Sequence, residues 1–139
     1  MLKLSHVCLW VLDLDEAHDF YTQKLGWEVR QDVTLEDFRW LTVGPPDQPE
    51  LEIALCLPDP SPLEEDLVKQ IPDLLARGAM CGCILHTEDC RAKYEELKGR
   101  GVEFSVEPNE VFYGIDAAFR DPFGNPFRLV QPAPVPAAS

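Results

Sequence analysis

The sequence predicts an α+β fold, made of two tandem β-α-β-β-β modules that form a curved mixed sheet around a central cavity. The first observation is an internal repeat. The predicted strand at His6 has a counterpart in the second half of the chain, and the segment 26–29 (Gly-Trp-Glu-Val) resembles the segment 101–104 (Gly-Val-Glu-Phe). The second is that each half combines one amphipathic helix with runs rich in Val, Leu and aromatic residues, which are typical of strands. One helix covers one face of each sheet, so the other face is free to line a cavity.

Module one is predicted over residues 1–56. It begins with a buried strand over 3–11, rich in Val, Leu and Trp. Asp13 is predicted to cap the following helix, because Glu16 three residues later completes a capping box. Gly26 is placed to end that helix. The later strands are predicted at 27–33, 37–43 and 50–56.

A linker over residues 57–80 is predicted to join the modules through a helix of its own. Ser61 opens a second capping box, with Pro62 at the first helical position. Pro72 predicts a kink or a division in this helix, because proline lacks the amide hydrogen that the helix needs. Gly78 is predicted to end it.

Module two is predicted over residues 81–131 on the same plan. A strand over 81–87 leads to a helix that Asp89 caps and Gly101 ends. Three strands are predicted at 102–107, 112–120 and 126–131, and residues 132–139 are predicted to be a frayed tail.

Composition narrows the classes of partner. The net charge of −13 over 139 residues disfavours nucleic acid and anionic membranes, since both require a basic surface. The N-terminal stretch is neither a signal peptide nor a membrane span. Five cysteines without a framework spacing indicate reduced thiols and a cytoplasmic location.

Strand alternation assigns side chains to the two faces of each sheet. In the strand 50–56 the apolar residues are predicted to pack under the helix, so Glu52 faces the cavity, and Arg128 faces it from module two by the same parity. The 76-residue shift between His6 and Gly82 also pairs Glu52 with Arg128. An ion pair between these two is expected, because a charge buried alone is costly.

The predicted ligand-binding residues are the aromatic, histidine and charged side chains assigned to the cavity. They are His6, Trp10, Trp40, Glu52, His86, Tyr113 and Arg128. Each has a structural alternative: a histidine held by hydrogen bonds, a tryptophan in the core, or a plain salt bridge. Aromatic residues with a few polar groups are typical of small-molecule sites, and tryptophan faces suit a cationic or planar aromatic ligand.

The chain resembles the vicinal oxygen chelate superfamily, which includes glyoxalase I, bleomycin-resistance proteins and extradiol dioxygenases. The resemblance covers residues 3–131 and rests on His6, on segments 13–14 (Asp-Leu) and 20–27 (Phe-Tyr through Leu-Gly-Trp), and on 121–125 (Asp-Pro-Phe-Gly-Asn). These motifs are specific for the fold, whereas function depends on the site.

In metal enzymes of this family, four cavity positions on the first and last strands of both modules bind the ion. Carried over to this chain, those positions are His6, Glu52, Gly82 and Arg128. Glycine has no donor atom, and the permanently cationic guanidinium does not ligate metals. The resemblance therefore implies remnant metal positions at His6 and Glu52 only, no cofactor, and Arg128 in the place of the cation.

The resemblance favours a metal-free protein of the bleomycin-resistance branch, which binds or sequesters a small organic molecule as a homodimer. One alternative is a metal-dependent lyase, isomerase or dioxygenase with an unusual ligand set and a divalent metal. A metal-free enzyme with Glu52 or His86 as general base is another. The sequence leaves open whether each cavity forms within one chain or across two.

Overall fold

Two four-stranded mixed sheets, one in each module, form the framework of the chain in a computed structural model that describes residues 1–59 and 63–134. Module one contains β1 (His6–Trp10), α1 (Leu14–Asp19) with a π-helical continuation (Phe20–Lys24), β2 (Glu28–Leu35), β3 (Phe38–Gly44) and β4 (Glu52–Cys56). The linker helix is α2 (Glu65–Ala76). Module two contains β5 (Cys83–His86), α3 (Cys90–Gly99), β6 (Phe104–Val111), β7 (Gly114–Arg120) and β8 (Pro126–Pro132).

The two sheets have the same topology. Their strand orders are β1-β4-β3-β2 and β5-β8-β7-β6, and in each the first strand runs parallel to the fourth. The remaining pairs are antiparallel. The predicted α+β class with two β-α-β-β-β modules is therefore confirmed, and the sheets remain two separate units that do not close into a barrel.

Both module helices begin and end where the sequence places their caps. Asp13 accepts a hydrogen bond from the backbone N–H of Glu16 at 3.0 Å, and Asp89 accepts one from Ala92 at 3.0 Å. Gly26 has a φ of 85°, a left-handed conformation that glycine adopts without steric cost. These local signals fix the orientation of each helix on its sheet.

Pro72 was predicted to kink or divide the linker helix. It lies inside one continuous helix, so the second of these alternatives, a division, is wrong. Burial of Ile71 and Leu75 on one side of the helix offsets the missing hydrogen bond of the proline. The helix ends at Gly78 as predicted, with a φ of 72°. Among the described residues, no helix is long and apolar enough to cross a membrane.

Parts of two predictions fall outside the described residues. Ser61 and Pro62, the predicted start of the linker helix, are among these, as are residues 135–139 of the predicted tail. The last strand extends through Pro132, the first residue assigned to that tail.

A single hydrophobic core is shared by the two modules. The ring of Tyr21, from module one, lies 6.1 Å from that of Phe127 in β8, and the ring of Trp27 lies 6.2 Å from it. Phe119 in β7 stacks on the same Phe127 ring at 5.0 Å. One face of each sheet is therefore turned toward this common core.

A buried polar network crosses the boundary between the modules at Asp121. Its Oδ1 accepts hydrogen bonds from the three backbone N–H groups of residues 123–125, at 2.9 to 3.0 Å. Its Oδ2 accepts one from the Tyr21 hydroxyl at 2.7 Å and one from Asn125 Nδ2 at 2.7 Å. Asn125 Nδ2 also donates to the Trp10 carbonyl at 2.7 Å. Burial, aided by the Asp121 carboxylate, raises the pKa of Tyr21 well above its ordinary value.

We expect Tyr21→Phe to lower the free energy of unfolding by about 1–2 kcal/mol, because it removes a buried donor from Asp121. Asp121→Ala removes the acceptor of several buried donors and should cost at least about 3 kcal/mol. Urea unfolding followed by tryptophan fluorescence measures both. Tyr113→Phe is the matched control, expected within about 0.5 kcal/mol of the native chain because its ring is partly exposed. Equal effects of the two Tyr→Phe changes would contradict this role of the network.

Candidate functional site

Each sheet has one face turned toward the shared core and one turned away from it, which we call the site face. The register of the strands assigns the residues to these faces. The site face of module one carries His6, Cys8, Trp10, Trp40, Thr42, Glu52, Ala54 and Cys56. The site face of module two carries Ile84, His86, Asp116, Ala118, Arg128 and Val130.

On module one, the parallel register places His6 directly opposite Glu52. The His6 Nε2 and Glu52 Oε2 atoms are 3.4 Å apart. Thr42 donates its hydroxyl hydrogen bond to Glu52 Oε1 at 2.8 Å, and His6 Nδ1 lies 2.9 Å from the Ser5 hydroxyl oxygen. His6 Nε2 is buried without a hydrogen-bond partner. The carboxylate is thus held in place beside an imidazole nitrogen that has hydrogen-bonding capacity to spare.

The two tryptophans predicted for the site have different surroundings. The Trp40 ring approaches the His6 ring at 5.4 Å between centroids, and its Nε1 donates to Gln31 Oε1 at 2.6 Å. Trp10 is partly buried and packs against the shared core. The structure therefore brings Trp40, His6 and Glu52 into one group, with Trp10 nearer to the core.

Two thiols that the sequence reasoning did not select also lie on this face. Cys8 pairs with Ala54, and Cys56 follows two residues along the neighbouring strand. Burial raises the pKa of Cys56 to about 11, and Cys8 contributes to the same shift. The parity of the strand 50–56, which predicted Glu52, also predicts the orientation of Cys56.

On module two, Arg128 is paired with Asp116. Arg128 Nε donates to Asp116 Oδ1 at 3.0 Å, and Nη2 donates to Oδ2 at 2.5 Å. The Asp116 side chain is 2% exposed and that of Arg128 50%. The hydrogen bond to Asp116 raises the pKa of Arg128, with a smaller contribution from Tyr113 on the adjoining hairpin. The predicted ion pair between Glu52 and Arg128 is therefore wrong for the single chain, because each group has a partner within its own module.

The predicted correspondence between Glu52 and Arg128 in the two modules is wrong, as the hydrogen bonds just after the first strand of each module show. The Val11 N–H donates to the Cys56 carbonyl at 2.9 Å, and the Thr87 N–H donates to the Val130 carbonyl at 2.9 Å. Val11 and Thr87 are separated by 76 positions (87 − 11), whereas Cys56 and Val130 are separated by 74 (130 − 56). The shift of 76 positions that relates the first strands of the two modules therefore does not hold for their fourth strands, which are related by 74 positions.

The cause is the connection that precedes the fourth strand. It comprises residues 45–51 in module one and only residues 121–125 in module two, which is two residues shorter. Glu52 therefore corresponds to Pro126. The prediction made Arg128 the counterpart of Glu52, whereas Arg128 lies two residues after that counterpart.

These positions do not fit the divalent metal that metal enzymes of the family bind. His6 and Glu52 offer two donors, whereas their counterparts Gly82 and Pro126 have no side-chain donor. A Cβ atom at Gly82 would lie 1.7 Å from the Pro126 carbonyl oxygen, so the backbone leaves no room for a ligating side chain there. Among the described residues, no group of three or more His, Cys, Asp and Glu side chains is arranged to hold a metal ion. Catalytic zinc sites use three protein ligands.

The predicted site residues form two separate groups in the chain. Ion pairs and ring contacts of the described site-face residues remain within one module. His86 is exposed on β5. Two open surface clefts formed by described residues, of about 450 and 560 Å³, lie beside the end of α3. Their lining includes Gly101, Glu103 and Phe104 but none of the predicted site residues.

Comparison with known proteins agrees with this architecture. The profile of the Glyoxalase/Bleomycin resistance protein/Dioxygenase superfamily matches residues 3–129. The uncharacterized protein YurT of Bacillus subtilis (strain 168) is 32% identical over 130 residues, which are 94% of this chain and 99% of YurT.

Two solved structures extend the comparison. That of UcmS2 is 46% identical, with a TM-score of 0.88 over 94% of this chain and 98% of UcmS2. That of TnmS3, an antibiotic binding protein from Streptomyces sp. CB03234, is 27% identical, with a TM-score of 0.73 over 96% of this chain and 98% of TnmS3.

We expect Cys56 to react with iodoacetamide at pH 8 about 100-fold more slowly in the folded chain than in urea, because the thiolate is the nucleophile. With a pKa of about 11, only about one thiol in a thousand is ionised at that pH. The rate should rise with pH until about pH 11. Quantitative peptide mass spectrometry follows each thiol, with the exposed Cys81 as the internal control. Equal rates for Cys56 in the folded and unfolded chains would contradict the assignment.

Proposed function

The chain belongs to the Glyoxalase/Bleomycin resistance protein/Dioxygenase superfamily, and on that premise we propose that it is a metal-independent small-molecule binding protein. The observation that carries the proposal is that module one has an aromatic and polar site face and module two a charged one, while the counterpart metal positions lack donors. The description of TnmS3 as an antibiotic binding protein supports sequestration as the activity.

The chemistry of the site face of module one suits an organic ligand. Trp40 supplies an aromatic surface, and Glu52 supplies a carboxylate that Thr42 holds in position. A few fixed polar groups beside an aromatic surface orient a ligand and exclude others. A planar aromatic or cationic molecule is the class that such a surface recognises.

We propose further that two copies of the chain form a homodimer and complete each site together. The two site faces point away from the shared core, so they do not enclose a ligand within one chain. Ile84 is 67% exposed on the site face of module two although it is a large apolar residue. A twofold arrangement in which module one of one copy faces module two of the other covers both faces and creates two identical sites.

A second candidate function rests on the 3.4 Å contact between His6 Nε2 and Glu52 Oε2. A metal-dependent lyase, isomerase or dioxygenase of the same superfamily would use these two atoms as ligands. It would then need further donors from the substrate, because Gly82 and Pro126 supply none. Ligand binding without a metal requires no further donors, and we therefore favour it over the metal-dependent enzyme.

The proposed setting is the reducing cytoplasm, with a small molecule as the partner. All five cysteines are free thiols, which suits that compartment. The net charge of −13 disfavours nucleic acid and anionic membranes as partners.

Complementation between two variants tests whether the sites are shared. Trp40→Ala removes the aromatic surface of module one, and Ile84→Glu places a carboxylate on the site face of module two, where it repels the sulfonate of the probe. Each homodimer should bind the fluorescent probe 1-anilinonaphthalene-8-sulfonate weakly at both sites. After subunit exchange in an equal mixture, about one quarter of the sites should be intact, because half of the dimers are hybrids with one native site. No recovery of probe binding would contradict the shared site.

Native mass spectrometry of the freshly purified protein tests the metal-independent dimer. We expect the mass of a dimer without a stoichiometric metal ion, and probe affinity that dialysis against EDTA leaves unchanged. His6→Ala is the control that removes one of the two remaining donors. A stoichiometric ion that this substitution removes would contradict the proposal and favour the metal-dependent candidate.

A further inference from the structure

We propose that Arg128, fixed by Asp116, is the anchor for an anionic oxygen of the ligand, which narrows the ligand class to aromatic molecules that carry a carboxylate, sulfonate or phenolate. This inference rests on the proposed ligand-binding function and adds a specificity residue to it. It starts from the hydrogen bonds of the Arg128 guanidinium.

The guanidinium has donors to spare in a fixed geometry. An arginine side chain has five N–H donors, and Asp116 engages Nε and Nη2. The two-point contact holds the plane of the guanidinium, so the remaining donors on Nη1 and Nη2 keep one direction. Half of the side chain is exposed on the site face, where a ligand has access to those donors.

The anchor is built into the sheet, which makes it rigid. Arg128 lies in β8 between β5 and β7, with Ile84 and Ala118 as its neighbours in register. Asn109 Nδ2 donates to the Asp116 carbonyl at 3.0 Å and so supports the strand that carries the carboxylate. In the proposed dimer the partner copy would cover this partly exposed face, and the loss of water would strengthen a contact between the guanidinium and an anion.

Stability alone is a weak reason for this pair. Only the carboxylate is fully buried, and a buried ion pair is on average no more stabilising than apolar residues of similar volume. Arg128 also stands two residues, about 6.6 Å of strand, beyond the counterpart of Glu52. Its donors are therefore set apart from the negative charge at His6 and Glu52.

The charge of the whole chain makes the anchor selective. With a net charge of −13, the surface repels an anionic molecule at most positions. A fixed guanidinium on the site face of module two is a place where such a molecule gains a charge-assisted contact. Tyr113 lies close enough to Arg128 to contribute to its raised pKa and adds an aromatic ring beside the anchor.

Two fluorescent probes that differ by a single sulfonate test the inference: 1-anilinonaphthalene-8-sulfonate and N-phenyl-1-naphthylamine. The double variant Arg128→Gln with Asp116→Asn keeps a neutral hydrogen-bonded pair and avoids an unpaired buried charge. We expect it to weaken binding of the sulfonate probe at least 10-fold and that of the neutral probe less than 2-fold. Arg128→Lys, which keeps the charge but loses the two-point contact, should show an intermediate loss.

The exposed ion pair of Arg77 and Asp73 on α2 provides the matched control. Arg77→Gln with Asp73→Asn should leave both affinities unchanged, and thermal unfolding checks that every variant folds. Added salt should weaken sulfonate binding by the native protein relative to the Arg128 double variant, because only the native protein has an attractive contact to the sulfonate that salt screens. An equal loss of both probes, or no loss of either, would overturn the inference while leaving ligand binding intact. Failure of both probes to bind the native protein would overturn the proposed function itself.

Discussion

The buried carboxylate of Asp121 determines how the two modules of the chain face each other. It accepts three backbone N–H groups of its own turn together with the Tyr21 hydroxyl from module one. Asn125 extends the contact to the Trp10 carbonyl. Two of these hydrogen bonds cross between the modules, those from the Tyr21 hydroxyl and to the Trp10 carbonyl. A different docking of the modules that left either group buried without its partner would cost about 1–3 kcal/mol. The core faces of the sheets are thereby fixed toward each other.

This arrangement explains why the chemistry of the chain lies on its two outward-facing surfaces. Once the core faces are used for docking the modules, Glu52 and Arg128 are on faces that belong to different sheets. Each face then satisfies its own charge locally, through Thr42 and His6 on one side and Asp116 on the other. The result is two incomplete halves of a site, which a second copy of the chain brings together in our proposal.

Most of the fold could be predicted from local signals. Asp13, Asp89 and Gly26 act within a few residues of their own position, so the sequence alone identifies them. Strand parity also placed Glu52 and Arg128 on the correct faces, because the side-chain alternation of a strand does not depend on its partners.

The partners of these residues could not be predicted in the same way. The connection before β8 is two residues shorter than its equivalent in module one, and this shift changes which residue stands opposite which. The contact between Arg128 and Asp116 likewise depends on the pairing of β7 with β8. Asp116 carried a weak sequence signal, because it is a charged residue in an otherwise apolar stretch. The effect of Pro72 on the continuity of the linker helix was overestimated, because burial of the helix outweighs one missing hydrogen bond.

The most direct test of the account is an isotope-filtered NOE experiment on a dimer assembled from labelled and unlabelled chains. Our account predicts intermolecular NOEs between the Ile84 methyl groups of one copy and the aromatic protons of His6 or Trp40 of the other. NOEs between these same groups within a single copy, with none between copies, would contradict it.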